Sequence, residues 1–180
     1  AHLFRTERDN LTLASHILVP SPHTARILID EYAVDSEKIT IAQPGTDTPY
    51  FNSNPGDPPL ILSVGIQHPR KGHDILLRAL ARIIDQPWRA VIAGGVHDPN
   101  HAEDLSRIVH ELALGGRVAF AGRVPPASLS NLYSQATVFA LATRYEGYGI
   151  VFDEALSHGL PIVSCRTGAV PDTVPTDTGL

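Results

Sequence analysis

A chain of 180 residues is long enough to bury a core, and hydrophobic residues at 43% with charged residues at 18% exclude an intrinsically disordered protein. The formal net charge of −5 at pH 7 argues against a broad nucleic-acid-binding surface, although a local basic spot for a small anion is compatible with it. A single cysteine, Cys165, excludes an internal disulfide, and no apolar run approaches the roughly 20 residues of a membrane-spanning helix. We therefore expect a globular protein of a reducing compartment.

The first predicted elements are a strand at residues 16–19 and a helix at Pro22–Tyr32. Ser21 is a suitable N-cap for this helix, and a proline occupies its first position. A second strand is predicted at 38–42. Residues 43–59 are rich in proline, glycine, asparagine and aspartate, which predicts a loop or linker.

A regular alternation of strands and helices follows. Predicted strands cover Leu60–Val64, 90–93, 118–121, 138–142 and Ile162–Ser164, and predicted helices cover 74–85, 105–112, Pro126–Gln135 and 151–158. Gly115 and Gly116 are expected to end the second of these helices. Such alternation predicts an α/β fold with a Rossmann-like, doubly wound parallel sheet. The sequence stops soon after the last strand, so we expect a closing helix to be missing.

Ligands of such sheets bind beyond the carboxyl ends of the strands, which selects the loops 65–73, 94–100, 122–127 and 143–149. The first of these loops joins a strand to a helix N-terminus and carries Arg70, Lys71 and Gly72. Two cations, free helix amides and a glycine suit a diphosphate. A solvated basic loop is an equal alternative from this segment alone. Neither the Walker pattern nor the dinucleotide pattern GxGxxG is present.

The last of these loops places two carboxylates around two glycines. Glu146 follows a strand, Gly147 and Gly149 permit unusual backbone angles and close approach of a ligand, and Glu154 lies in the helix that follows. Carboxylates accept charge-assisted hydrogen bonds from paired sugar hydroxyls. Alternatively, Glu154 only favours the helix N-terminus and Glu146 is a surface residue. The glycines and the strand-end position favour sugar binding.

Residues 146–154 read Glu-Gly-Tyr-Gly-Ile-Val-Phe-Asp-Glu, which resembles the E-x7-E motif of glycosyltransferase family 4 (group 1). Other segments resemble blocks of that family and stand in the same order: 19–21, 43–47, 69–72, 93–95, 120–124 and 159–163. Any single block is weakly specific, but together they span nearly the whole chain.

The resemblance implies the C-terminal, donor-binding half of a retaining, two-domain GT-B enzyme. Residues 1–15 would be the tail of a preceding domain, and 16–180 the nucleotide-sugar-binding Rossmann-like domain. A hexose would pass from a UDP- or GDP-linked donor to a saccharide or lipid-linked acceptor, as in polysaccharide biosynthesis, without a metal or other cofactor. We expect the isolated chain to be inactive without its N-terminal domain. We expect a cytoplasmic location, at the inner face of the cell membrane if the missing domain associates peripherally with it.

The resemblance also implies roles for individual residues, with Glu146 as the catalytic carboxylate. The implied contacts are the donor diphosphate at Arg70, Lys71 and Gly72, the donor sugar at Glu146, Gly147, Tyr148 and Gly149, the ribose at Glu154, and the base at Arg123 and Val124. One position departs from the family pattern. Many members carry arginine directly after the glycine of the first strand, where this chain has Ile66, and we expect Arg70 to replace that arginine.

Two other functions stay open. A non-catalytic nucleotide-binding or interaction module with a partly retained site is favoured by Ile66. A Rossmann-type oxidoreductase is disfavoured because its glycine fingerprint is missing. The densest histidines, His97, His101 and His110, have spacings that fit no standard zinc pattern, so we predict no metal site.

Overall fold

The computed structural model describes residues 2–47 and 54–178, and His2 is described by its backbone alone. The helices are α1 (His2–Leu13), α2 (Pro22–Tyr32), α3 (His73–Ala81), α4 (Pro99–Glu111), α5 (Pro126–Gln135), α6 (Ile150–Ser157) and α7 (Val170–Thr173). The strands are β1 (Ile17–Val19), β2 (Ile39–Ile41), β3 (Leu60–Val64), β4 (Arg89–Ala93), β5 (Val118–Gly122), β6 (Val138–Leu141) and β7 (Ile162–Ser164). Within the described ranges, no helix is long and apolar enough to cross a membrane.

The main sheet is parallel and has the strand order β5-β4-β3-β6-β7. Counted from β3 as the first strand, this order is 3-2-1-4-5, as in the Rossmann fold. β3 is the central strand, and it pairs with β4 from Leu60↔Arg89 to Val64↔Ala93. The predicted doubly wound parallel sheet is confirmed.

Side chains alternate across β3 and enter two separate cores. Leu60 and Leu62, both fully buried, pack in a cluster with Tyr133 of α5 and Phe152 of α6. Ile61 faces the other way, into a cluster formed with α3 and α4. Because β3 is buried on both faces, four of its five residues are apolar and the fifth, Ser63, is buried as well, which is typical of a parallel sheet covered by helices.

The chain reverses its direction across the sheet between β3 and β6. Chain order runs from β3 through β4 to β5 on one side, and then returns to β6 and β7 on the other. The crevice outside the carboxyl ends of two such strands is where open α/β sheets bind their ligands. The loops that follow β3 and β6 carry Lys71 and Glu146, respectively.

The first two strands form a parallel sheet of their own, paired from Ile17↔Ile39 to Val19↔Ile41. They pack with α2 around a small core of four buried residues: Val19, Ala25, Leu28 and Val34. Ser21 is the N-cap of α2, as predicted, and its hydroxyl accepts from the Thr24 N–H at 3.1 Å. The predicted boundary at residue 15 stays a prediction, and residues 48–53 of the predicted linker lie outside the described ranges.

Helix ends differ most from the prediction. α4 ends at Glu111 instead of at Gly115 and Gly116, and Ala113 takes the left-handed conformation with a φ of 54°. The Leu114 N–H donates to the Val109 carbonyl and the Ala113 N–H to the His110 carbonyl, a Schellman arrangement. Leu114 is fully buried, so its side chain explains why the chain turns before the glycines. The helices α1 and α7 were not predicted.

Candidate functional site

The loop after β3 is shaped by a short 3-10 turn, Pro69–Lys71, and by Gly72. Gly72 has a φ of 63°, and a Cβ atom there would lie 1.8 Å from the carbonyl oxygen of Ala142. Glycine therefore lets the loop pass close to the end of β6. α3 begins at His73, so its free backbone N–H groups start directly beside the turn.

Arg70 and Lys71 converge on the Glu146 carboxylate. Lys71 Nζ lies 2.6 Å from Glu146 Oε1, and the Arg70 guanidinium donates to Oε2 at 3.3 Å. Lys71 is 9% exposed and Glu146 only 4%. Two positive charges face one negative charge here, so the group retains a net positive charge that favours an incoming anion. The structure thus brings together three residues that the sequence assigned to one site.

The backbone of Glu146 is held from behind by the loop after β7. The Glu146 carbonyl accepts from the Ala169 N–H at 2.8 Å. Gly168 has a φ of 55°, and a Cβ there would lie 2.3 Å from the same carbonyl oxygen. This packing fixes the backbone that carries the carboxylate.

The expectation of an unusual backbone angle holds at Gly149 and is wrong at Gly147. Gly149 has a φ of 90°, and a Cβ there would lie 2.6 Å from the Phe152 ring. Gly147 is not among the positive-φ glycines, and a Cβ there would meet no atom within 4 Å. Its carbonyl accepts from the Ser21 hydroxyl at 2.7 Å and the Thr24 hydroxyl at 3.1 Å. These bonds hold the loop against α2, while the α-carbon of Gly147 has open space beside it.

The loops after β3 and β6 are joined by contacts that the sequence did not suggest. The Arg144 guanidinium donates to both carboxylate oxygens of Asp74, at 2.9 and 2.8 Å. The Arg144 N–H also donates to the Arg70 carbonyl at 2.8 Å, as does the Thr143 hydroxyl at 3.1 Å. Hydrogen bonds from Arg144 lower the pKa of Asp74. The bidentate pair therefore stays ionised at neutral pH and fixes the two loops relative to each other.

Glu154 lies on α6 and lines a cavity of about 390 Å³. Its Oε2 accepts from the Tyr133 hydroxyl at 2.7 Å. The other lining residues come from the linker after β2, from α5 and from α6: Gly45, Thr46, Asp47, Pro126, Leu129, Ser130, Tyr133, Ile150, Ser157 and His158. The linker residues and Tyr133 were not predicted to belong to a site.

Arg123 and Val124 line a second cavity, of about 570 Å³, beyond the ends of β3, β4 and β5. Ile66, at 38% exposed, also lines this cavity. Leu129 borders both cavities, so they adjoin across a single side chain. Gly65 also lines this cavity, and the aliphatic part of the Lys71 side chain packs over it. A Cβ atom added at Gly65 would lie only 3.2 Å from Lys71 Cδ. Of the predicted site residues, Glu154 thus lines the first cavity, Arg123 and Val124 line the second, and Lys71 packs against a residue of the second.

The described residues contain no group of three or more His, Cys, Asp or Glu side chains placed to hold a metal ion. The rings of His97 and His68 lie 5.3 Å apart, edge to face. His73 is fully buried beneath the loop after β3, where its Nε2 donates to the Gly65 carbonyl at 3.2 Å. Burial lowers the pKa of His73 to about 4, so this imidazole is neutral at physiological pH.

Comparison with known proteins gives one family. The family model for glycosyl transferases of group 1 matches residues 48–179. D-inositol 3-phosphate glycosyltransferase of Kineococcus radiotolerans is 30% identical over 191 residues, which cover 95% of this chain and 44% of the relative. A GDP-mannose-dependent α-(1-6)-phosphatidylinositol monomannoside mannosyltransferase of Mycolicibacterium smegmatis is 32% identical over 153 residues, covering 73% of this chain and 39% of the relative. The chain spans less than half the length of these relatives.

Solved structures give the same fold. An Anabaena protein crystallised with UDP and glucose superposes with a TM-score of 0.79 at 21% identity, and the superposition covers 93% of this chain and 51% of that one. This likeness establishes the architecture of the chain.

Proposed function

The chain belongs to the glycosyl transferases of group 1, and from this premise we propose that it is the donor-binding half of a retaining hexosyltransferase of the two-domain GT-B type. The observation that carries the proposal is the convergence of Arg70, Lys71 and Glu146 at the reversal point of the sheet. The negative charge of a nucleoside diphosphate sugar suits the two cations, and the hydroxyl groups of its hexose and its ribose suit the carboxylates of Glu146 and Glu154.

In this proposal the diphosphate lies against Lys71 and Arg70, and the backbone at Gly72 lets it come close. The net positive charge of the cluster and the N-terminus of α3 both favour an anion at this position. The Lys71–Glu146 pair lies in a buried setting, where electrostatic interactions are stronger than in water. An arriving diphosphate would share Lys71 with Glu146.

The transferred sugar would lie against Glu146 and the loop Gly147–Tyr148–Gly149. The open space beside Gly147 leaves room for a sugar ring next to the Glu146 carboxylate. Developing negative charge on the leaving diphosphate would be stabilised by the two cations and the α3 amides, which are already in place before the reaction. We propose that transfer therefore needs no metal ion.

The contacts of Arg70 support the proposal that it replaces the arginine that many family members carry at the position of Ile66. Its guanidinium reaches the Glu146 carboxylate and the Tyr145 carbonyl, at 3.3 and 2.8 Å. This places a second cation in the site from the turn after β3. Ile66 instead contributes an apolar surface to the cavity where we place the base, next to Arg123 and Val124.

We propose a UDP- or GDP-linked hexose as donor, since one relative is named as GDP-mannose-dependent and one structural neighbour holds UDP and glucose. The acceptor would be a saccharide or a lipid-linked molecule, bound by a domain outside this chain. That missing domain would also carry any peripheral membrane contact at the cytoplasmic face. The isolated chain should therefore bind its donor without transferring the sugar.

Calorimetric titration of the chain with UDP and with GDP tests the proposal. We expect one of them to bind, and Lys71→Ala and Glu154→Ala each to weaken that binding at least about tenfold, the effect of losing a charge-assisted hydrogen bond. Lys38→Ala is the matched control, because the Lys38 ammonium bonds the Ala14 carbonyl far along the sequence from these loops. Absence of heat with both nucleotides, or equal effects of the two lysine substitutions, would contradict it.

A further inference from the structure

Tyr133 is a buried tyrosine whose ring is fixed by aromatic neighbours. The side chain is 2% exposed. Its ring stacks on His158 at 4.9 Å and on Phe139 at 6.0 Å between centroids. The hydroxyl lies 2.7 Å from Glu154 Oε2. A buried ring packed on two sides has little rotational freedom, so the hydroxyl is held at one point of the cavity wall.

His158 reinforces this arrangement from the end of α6. Its Nδ1 lies 2.8 Å from the Glu154 carbonyl, and since a carbonyl only accepts, Nδ1 carries the proton. Its Nε2 lies 3.4 Å from the Ser130 hydroxyl. Both hydrogen bonds keep the imidazole plane against Tyr133. The stack therefore fixes the position of the Tyr133 ring.

The Glu154 carboxylate is anchored by one oxygen. Oε2 accepts from the Tyr133 hydroxyl at 2.7 Å, and the Glu154 side chain lines the cavity. Burial, together with the negative charge of Glu154, raises the pKa of the Tyr133 phenol, so this group donates at every accessible pH. A long, flexible glutamate is thus restricted to one orientation beside the cavity, with accepting capacity left for a ligand.

We propose that Tyr133 is a positioning residue that orients Glu154 for a ribose diol and thereby makes the cavity select ribonucleotides over 2′-deoxyribonucleotides. The inference rests on the proposed function, since it concerns the same nucleoside diphosphate. A vicinal diol presents two donors at a fixed separation, and a carboxylate in a fixed orientation accepts both. A freely rotating carboxylate accepts one hydroxyl nearly as well as two, so its preference for ribose is weaker.

The test compares UDP with 2′-deoxy-UDP, or the two guanine analogues if GDP binds more tightly, by calorimetric titration. We expect the unaltered chain to bind the ribonucleotide about tenfold more tightly than its deoxy analogue, the effect of one good hydrogen bond. Tyr133→Phe keeps the buried ring and removes only the hydroxyl. It should lower this ratio to about two, mainly by weakening the ribonucleotide.

Tyr32→Phe is the matched control, since the Tyr32 hydroxyl also donates to a glutamate, Glu7, at 3.3 Å but on the exposed surface of α2. Its ratio should equal that of the unaltered chain. Glu154→Ala should abolish the preference, and adding Tyr133→Phe to it should cause no further change. Urea denaturation of each variant shows whether it is folded under the titration conditions, so the ribose preference is compared only between folded proteins.

Two results would overturn the inference alone: an unchanged ribose preference in Tyr133→Phe, or an equal loss of affinity for both sugars, which indicates a purely structural role. Failure of the unaltered chain to bind either ribonucleotide would overturn the proposed function and the inference with it. The two failures are therefore distinguishable in one set of titrations.

Discussion

Glu146 and Glu154 flank the same glycine loop, yet one lies between two cations and the other beside a neutral phenol. Glu146 is 4% exposed and pairs with Lys71 and Arg70. Glu154 borders an open cavity and bonds Tyr133. Identical side chains at the two ends of one loop therefore differ in what they contribute: Glu146 neutralises buried charge and so stabilises the fold, whereas Glu154 lines a cavity, where we propose that it contributes to selectivity.

The largest expected difference is therefore in stability. Glu146→Ala leaves the buried Lys71 ammonium without its counter-ion and should lower the free energy of unfolding by about 3–5 kcal/mol. Glu154→Ala removes one hydrogen bond from a neutral donor and should lower it by about 1 kcal/mol. Urea denaturation of both variants measures this contrast. Equal losses would show that the two carboxylates are energetically alike.

Acidification should also affect the region of Glu146 more than that of Glu154, through His73. Burial lowers the pKa of His73 in the folded state to about 4, against the ordinary histidine value of 6.5 in the unfolded chain. The unfolded state therefore binds the extra proton first, and stability that is present above pH 6.5 falls as the pH drops from 6.5 to 4. The expected loss is about 3 kcal/mol.

The His73 contribution is isolated by His73→Gln, whose amide still donates to the Gly65 carbonyl and does not titrate. Denaturation with urea between pH 7 and pH 4 should show a smaller loss for the variant than for the unaltered chain. Parallel pH profiles for the two proteins would rule out His73 as the titrating group.

The two glycines of the loop between Glu146 and Glu154 should likewise differ in how strongly their substitution lowers stability. Gly149→Ala forces a side chain into a left-handed conformation against Phe152 and should lower stability by about 2 kcal/mol. Gly147→Ala meets open space and should change stability by less than about 0.5 kcal/mol. If a sugar ring occupies that space, however, this variant should lose affinity for a nucleotide sugar but not for the nucleotide alone. Denaturation curves and paired titrations check both statements.

The Arg144–Asp74 pair, which joins the loops after β3 and β6, should contribute little to stability. Its side chains are 44% and 18% exposed, so Asp74→Asn should lower stability by less than about 1 kcal/mol. Looser loops should nevertheless weaken nucleotide binding, because Arg70 and Lys71 lie in the loop after β3. Asp104→Asn, which removes an exposed partner of Arg107 on α4, is the control. Equal affinities in the two variants would show that the pair does not position the site.

The sequence predicted the main sheet well because β3 is apolar at four of its five positions and because strands and helices alternate regularly after it. Local sequence signals fail where contacts between residues distant in the chain determine the structure. Leu114 is buried in the core, and the chain turns at Ala113, before Gly115 and Gly116, the predicted end of α4. Alternation marked β1 and β2 as strands without revealing that they form a separate sheet.

The candidate site was likewise predicted from the sequence only in part. Glu146 and Lys71 follow strands, so the rule for parallel sheets placed them at one edge before any contact was known. Tyr133 has the helical spacing of an ordinary core residue, and nothing local distinguishes its hydroxyl as a partner of Glu154. Arg144 and Asp74 are 70 residues apart, and their pairing depends on the adjacency of β3 and β6, which the sequence alone did not give.

The most direct test of the shared site is a crystal structure of this chain with UDP or GDP bound. We expect the diphosphate within hydrogen-bond distance of Lys71 Nζ and the ribose hydroxyls on the Glu154 carboxylate. A nucleotide bound at the edge of the sheet with its diphosphate away from Lys71, or bound elsewhere on the chain, would contradict the account.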